Sequence, residues 1–230
     1  MLRAIVFDFD GVIVDSEPLH HAAFLRVAEP LGVRFDYEEY LEKYVGYDDR
    51  DAFRVMFGGA AGQGDALPNG LRLDELCRQK GDAFASVVAE GVQPVAGVQA
   101  LMEEAAAQMP IAVASGATRR DVNLILTRLR WADRFAAIVT ADDVHYSKPH
   151  PQTYVLAVQR LAERYPHLSL TPADCLAIED TAAGVASARA AGLMTLGLAT
   201  TTSAATLHHA HRVVECLGSV TLQRLRQSLD

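Results

Sequence analysis

Two aspartates, Asp8 and Asp10, stand at the end of the apolar run RAIVF (3–7), separated only by Phe9. Side chains alternate along a strand, so this spacing predicts both carboxylates on one face. Neighbouring anions raise each other's proton affinity, which costs stability unless a cation or a reaction uses them. Three more apolar runs lead to useful polar groups: Ser115–Gly116 after IAVA, Lys148 in the loop beyond AAIV, and Glu179–Asp180 after CLAI. Asp, Ser and Gly are ordinary turn residues, so any one of these ends alone reads as a strand-terminating turn. Four in succession, each with different chemistry, read as a site.

Those groups supply the parts of a phosphoryl transfer to an aspartate. Such a transfer needs a carboxylate nucleophile, a nearby acid/base, a divalent cation and donors for the phosphoryl oxygens. Asp8 is the candidate nucleophile. Asp10 is the candidate acid that protonates a leaving alcohol and then takes a proton from the attacking water. Hard carboxylate oxygens suit Mg2+, which makes Glu179 and Asp180 candidate ligands beside Asp8 and Asp10. Ser115 and Gly116, ahead of a helix, offer a hydroxyl and backbone N–H groups to phosphate. Lys148 would offset the gathered negative charge.

Several elements must position these side chains. Short runs rich in branched residues predict strands at 3–7, 111–114, 136–139, 175–178, 194–197 and 212–214. Helical patterns lie between them at 97–108, 119–130, 151–164 and 182–191. Strand alternating with helix implies right-handed crossovers and an α/β fold with a parallel sheet covered on both faces. Ligands of such sheets bind beyond the carboxyl ends of the strands, where all four polar groups fall. Residues 16–93 break the rhythm: Leu19, Ala22, Ala23, Phe24, Val27 and Leu31, then Leu71, Leu73, Leu76, Cys77, Phe84, Val87 and Val88, have helical spacing. We read 16–93 as an all-helical insertion forming a second, small domain, with 1–15 and 94–230 as the core and GGAAGQGDALPNG (58–70) as a loop between helices.

Composition narrows the classes. At 230 residues, 50% hydrophobic and 22% charged, the chain has the make-up of a globular protein. A net charge of −8 argues against a nucleic-acid surface or anionic membranes as partners, while a bound cation leaves a small anionic substrate open. Cys77, Cys175 and Cys216 form no CxxC pair, which argues against disulfides and structural zinc and points to a reducing cytoplasm. The start MLRAIVFDFD has acidic residues where a signal peptide needs an apolar core, and no run is long enough to span a bilayer. His208, His209 and His211 lack acidic or cysteine partners at ligand spacing and read as a solvated segment. Arg119–Arg120 reads the same way, or as an attractor of anions.

The stretches VFDFDGVIVDSEPLH (6–20), VASGAT (113–118), SKPHPQTY (147–154) and AIEDTAAGVASARAAG (177–192) resemble, in order, the four motifs of the haloacid dehalogenase superfamily. The resemblance covers essentially the whole chain and points to members with a helical cap after the first strand. It implies a Rossmann-like core, with Asp8 as the residue phosphorylated and Asp10 as the acid/base whose backbone carbonyl also meets the metal. It further implies Ser115 on phosphate, Lys148 on nucleophile and phosphate, Asp180 on Mg2+ and Glu179 beside it. Ala96-Gly97 stands where relatives often have Pro-Gly, and Gln152 where they often have Asp.

Asp10 bears on the reaction. Superfamily dehalogenases and phosphonatases resemble this chain without that second aspartate, so its presence points to an alcohol leaving group and a phosphate ester substrate. Whether water or a sugar hydroxyl receives the phosphoryl group stays open. His20, Lys80 and Ser147 are similar to positions in beta-phosphoglucomutase, a sugar phosphomutase. That enzyme's cap arginine lies three residues after a glycine, whereas Arg50 lies four after Gly46, with Asp48 and Asp49 between. Acidic residues there disfavour a second phosphate, which favours a phosphatase. His20 as a hinge-helix residue, Lys80 as a solvated one, and a binding protein without turnover are the plainer readings. Small capped members are commonly monomers, which is the expectation for this chain.

Overall fold

The computed structural model describes residues 1–45, 47–58, 67 and 70–229, and divides into two compact units, Met1–Asp15 with Gln93–Asp230, and Ser16–Val92. Gly46 and most of the predicted loop 58–70 lie outside the described residues.

The larger unit is built on six strands: β1 (Ala4–Phe7), β2 (Ile111–Ala114), β3 (Ala137–Val139), β4 (Cys175–Glu179), β5 (Met194–Leu198) and β6 (Arg212–Val214). All pair in parallel, in the order β3-β2-β1-β4-β5-β6. Every residue of β1, β2 and β4 is buried, as expected of strands covered on both faces. Five helices belong to this unit: α5 (Val98–Ala106), α6 (Arg119–Leu129), α7 (Gln152–Arg164), α8 (Ala182–Ala190) and α9 (Leu222–Leu229). Strands and helices fall within two residues of the predicted bounds, except α9, which is not anticipated. On one face of the sheet Tyr154, Ala157, Val158 and Leu161 of α7 pack with Val6, Ala112, Val139 and Ala177.

Strand order places β1 centrally, with β2 and β3 on one side and β4 to β6 on the other. The chain therefore reverses its winding beside β1, the crevice in which open α/β sheets bind ligands. Register pairs Phe7 with both Val113 and Ile178, so residues just past these positions converge.

The smaller unit holds α1 (Glu17–Ala28), α2 (Tyr37–Lys43), α3 (Asp49–Met56) and α4 (Leu73–Glu90), and no strand among its described residues. Asp36 and Asp48 cap α2 and α3 by accepting from the backbone N–H groups of Glu39 and Asp51. Its core joins Phe24, Val27, Phe35, Tyr40, Phe53, Leu73 and Leu76. No described helix is long and apolar enough to cross a membrane.

Candidate functional site

The strand alternation that motivated the Asp8/Asp10 pairing stops at Phe7. Asp8 still extends the ladder, its N–H donating to Ile178 O at 2.9 Å. Beyond it the chain turns: Ile13 and Val14 N–H groups donate to Phe9 O, and Gly11 N–H donates to Val14 O. Phe9 is fully buried and anchors this turn. Gly11 adopts φ +74°, and a Cβ there would lie 1.9 Å from Asp180 Oδ2 and 2.6 Å from Thr201 Oγ1. Glycine is thus required at this turn on two counts, left-handed backbone and close approach. The turn, rather than a two-residue period, places half-buried Asp10.

Asp8, Glu179 and Asp180, all buried, come together with oxygens within 4.8 Å of one another. Lys148 joins them: its Nζ donates to Asp8 Oδ1 at 2.7 Å and to Glu179 Oε1 at 2.6 Å. Glu179 is held from every side. Oε1 also accepts from the Tyr154 hydroxyl at 2.9 Å, while Oε2 accepts from Asp180 N–H, Thr181 N–H and Thr181 Oγ1. Thr181 Oγ1 in turn accepts from Gly184 N–H and caps α8. A Cβ on residue 184 would lie 1.8 Å from Glu179 Oε1, so the helix turn opens there to admit the carboxylate.

Three carboxylates against one ammonium set the local electrostatics. Burial, then the charge of Glu179, pushes the Asp8 carboxyl well above the usual carboxylate range, against the pull of Lys148. Burial likewise pushes Asp180 to about 7. Burial opposes the Lys148 ammonium, but Asp8 and Glu179 outweigh it and raise its proton affinity. Among the described residues, Asp180 Oδ1 is the buried side-chain oxygen without a hydrogen-bond partner. An unpartnered anionic oxygen in a cluster of hard donors fits a divalent cation of the Mg2+ type, which would relieve the excess charge. Asp8 and Asp180 are suited to direct ligation. Glu179, with both oxygens engaged, is suited to holding the cluster together.

Ser115, fully buried at the end of β2, accepts from Ala117 N–H at 2.9 Å, and exposed Gly116 follows. A cleft of about 170 Å3 is lined by Ser115, Gly116, His145, Ser147, Lys148 and Thr153. The loop carrying Lys148 is fixed by Gln152, whose Oε1 accepts from His145 and Tyr146 N–H groups at 3.0 Å each. An amide thus serves where relatives often have a carboxylate. Ser187 Oγ ties the same loop down by donating to His150 O.

The remaining predicted residues lie in the helical unit. Lys80 is only 3% exposed, so the solvated reading is overturned: it falls on the buried stripe Leu73, Leu76, Lys80, Phe84, Val87 of α4. Its Nζ donates to His20 Nδ1 at 2.9 Å, pairs with Asp49 at 2.7 Å, and lies over the Phe24 and Phe84 rings. His20 stacks on Phe84, centroids 4.5 Å apart; burial, then the Lys80 charge, lowers its pKa to about 3. Arg50 donates to Asp74 at 2.5 Å.

Arg119 neither solvates nor stands free: it donates to Ile138 O and pairs with Asp143, which Arg160 also engages. His208, His209 and His211 are all exposed, and His211 Nδ1 accepts from Thr195 N–H at 3.0 Å. Tyr154, Thr181 and Gly184 escaped the sequence reading. Tyr154 carried a signal, a hydroxyl on an otherwise apolar helical stripe, which requires a polar partner.

The profile of haloacid dehalogenase-like hydrolases matches residues 5–198. Fructose-1-phosphate phosphatase YqaB of Escherichia coli is 29% identical over 190 residues, 82% of this chain and 92% of that protein. Beta-phosphoglucomutase of Bacillus subtilis is 29% identical over 203 residues, 86% of this chain and 83% of that protein. The crystal structure of CbbY from Rhodobacter sphaeroides in complex with phosphate superposes with a TM-score of 0.79, at 27% identity, covering 98% of this chain and all of that one. The matched residues 5–198 run from β1 through β5 and include all four polar strand-end groups, and the chain belongs to the haloacid dehalogenase-like hydrolases as an enzyme of that family.

Proposed function

We propose that this enzyme is a Mg2+-dependent phosphatase acting on a small phosphate monoester, of the sugar or polyol class, through a phospho-aspartate. The observation that carries the reading is the Asp8–Lys148–Glu179 bridge beside the unpartnered Asp180 oxygen. An Asp8 oxygen attacks phosphorus while the bond to the leaving oxygen breaks, and Asp10 delivers its proton to that oxygen. Water then attacks the phosphoryl group and gives its proton to Asp10; the Asp8–phosphorus linkage breaks and inorganic phosphate leaves. Lys148, fixed between two carboxylates, screens the charge at Asp8, and the Ser115–Gly116 turn supplies donors to the phosphoryl oxygens. The cation, when bound by Asp8 and Asp180 and the Asp10 carbonyl, supplies charge neutralisation at the transferring group.

A phosphomutase is the second reading, supported by the relative of that name and by the His20–Lys80 pair. Ion pairing within the helical unit favours the phosphatase. Arg50 and Lys80, the cations a second phosphate would call on, are each matched by a carboxylate, Asp74 and Asp49. We read residues 16–92 as the cap domain that selects the substrate. The test is phosphate release from a panel of sugar and polyol monophosphates with Mg2+, in wild type and Asp8→Asn. Release that Asp8→Asn abolishes is expected. Release untouched by that change would overturn the mechanism. Conversion of a sugar 1-phosphate to the 6-phosphate faster than its hydrolysis would establish the mutase instead.

A further inference from the structure

We propose that Tyr154 is a positioning residue of this site: its hydroxyl, donating to Glu179, fixes the carboxylate that holds the Lys148 ammonium against Asp8. Tyr154 is fully buried in the first turn of α7, packed beneath the sheet. A phenylalanine would fill the same space without a polar atom to satisfy, and a buried hydroxyl is costly unless bonded. Tyr154 makes that bond at 2.9 Å to Glu179 Oε1, the same oxygen that accepts Lys148 Nζ at 2.6 Å. The ring also lies under the ammonium, 5.1 Å from Nζ to centroid.

Glu179 Oε2 is fixed by three donors from Asp180 and Thr181. Oε1 has two, and one of them is the long lysine side chain to be positioned. The tyrosine hydroxyl is therefore the only rigid donor on the Lys148 side of the carboxylate among the described residues. Without it, only the Oε2 donors hold the Glu179 carboxylate, and Oε1, shared with Lys148, loses the contact that sets its position along the line to Asp8. The inference rests on the phosphatase reading, in which Lys148 screens Asp8.

The experiment compares wild type, Tyr154→Phe, Glu179→Gln and the double variant by steady-state phosphate release at saturating Mg2+, with melting temperatures alongside. A hydroxyl acting through Glu179 predicts that Tyr154→Phe lowers kcat by about tenfold, near the lower end for a hydrogen bond to a charged group. KM is expected to stay within about twofold, since substrate contacts are untouched. Melting should stay close to wild type, and the double variant should be no slower than Glu179→Gln, because the pathway is already cut. A kcat for Tyr154→Phe within about twofold of wild type, or losses that multiply in the double variant, would overturn the proposal. Absence of phosphate release from wild type would count against the phosphatase reading alone. The positioning claim then rests on the Lys148 ammonium 15N–1H resonance of the unliganded protein. Its loss in Tyr154→Phe supports the claim, and an unchanged resonance refutes it.

Discussion

Replacing His20 by asparagine should make the helical unit less sensitive to acid than the wild-type unit. His20 Nδ1 accepts a hydrogen bond from Lys80 Nζ at 2.9 Å, so the ring must be neutral there, with its proton on Nε2. Protonation would set two cations against each other, and burial plus that repulsion lower the folded-state pKa to about 3, against 6.5 for the free side chain. Between these values the unfolded chain binds a proton that the folded chain does not, so stability is full above pH 6.5 and falls as the pH drops. At pH 5, about 1.5 units below the unfolded value, the loss is at most about 2 kcal/mol at about 1.36 kcal/mol per unit. Asparagine keeps an acceptor for Lys80 and removes the titration. Eight histidines and many carboxylates respond to acid, so the quantity to measure is the difference between the two proteins. Urea unfolding at pH 7 and pH 5 can be followed by near-ultraviolet tyrosine signals, since four of the seven tyrosines, Tyr37, Tyr40, Tyr44 and Tyr47, lie in the helical unit, with the α/β contribution subtracted by way of the tryptophan transition. Trp131, the single tryptophan, serves as the control for the α/β unit. Parallel losses in both proteins between pH 7 and pH 5, or a His20 resonance titrating near pH 6.5, would refute the argument.

Other changes probe the site directly. Gly184→Ala should destabilise the α/β unit by about 1–3 kcal/mol and lower activity, since its methyl overlaps the Glu179 carboxylate; wild-type melting and turnover would contradict this. Gln152→Ala removes the acceptor of two N–H groups in the Lys148 loop and should lower kcat with melting little changed, whereas Gln152→Glu, which keeps an acceptor, should retain most of it. Lys148→Ala leaves Asp8 and Glu179 buried with fewer partners, so activity should fall by at least about a hundredfold, read as phosphate release. Chelation with EDTA should stop phosphate release, and Mg2+ should restore it in wild type but not in Asp180→Ala.

The strands were legible because short β-branched runs bounded by turn residues have few other fates, and polar groups beyond such runs mark strand ends. That pattern singles out Asp8, Ser115, Glu179 and Asp180 as candidates, with Lys148 in a loop farther on, and the fold brings Asp8, Glu179 and Asp180 together with Lys148. The orientation of Asp10 was not, because a period-two argument holds only while the chain stays extended, and the Gly11 turn intervenes. The spacing leaves Lys80 open between a cap residue and a solvated one, because lysine by composition belongs to the surface; its place on the α4 stripe is visible in the spacing, but not the Asp49 and His20 that make burial tolerable. α9 has a polar, arginine-bearing sequence whose anchoring involves Glu104 accepting from Leu222 N–H, a contact 118 positions away that no local pattern reveals.

Val14 and Pro94 form an antiparallel bridge, and Val95 N–H donates to Ile13 O at 3.0 Å. The points where the chain leaves the α/β unit and returns to it are therefore stitched together within that unit. Closing the inserted segment is a constraint met at one small clasp, and the entropy of such closure grows only slowly with length, by about 0.6 kcal/mol per doubling. Evolution, or a protein engineer, can lengthen, shorten or exchange what lies between Ser16 and Val92 as a cassette while the clasp keeps the β1 strand and its turn in register. If that segment selects the substrate, as proposed above, specificity is open to change without renegotiating the fold that carries Asp8.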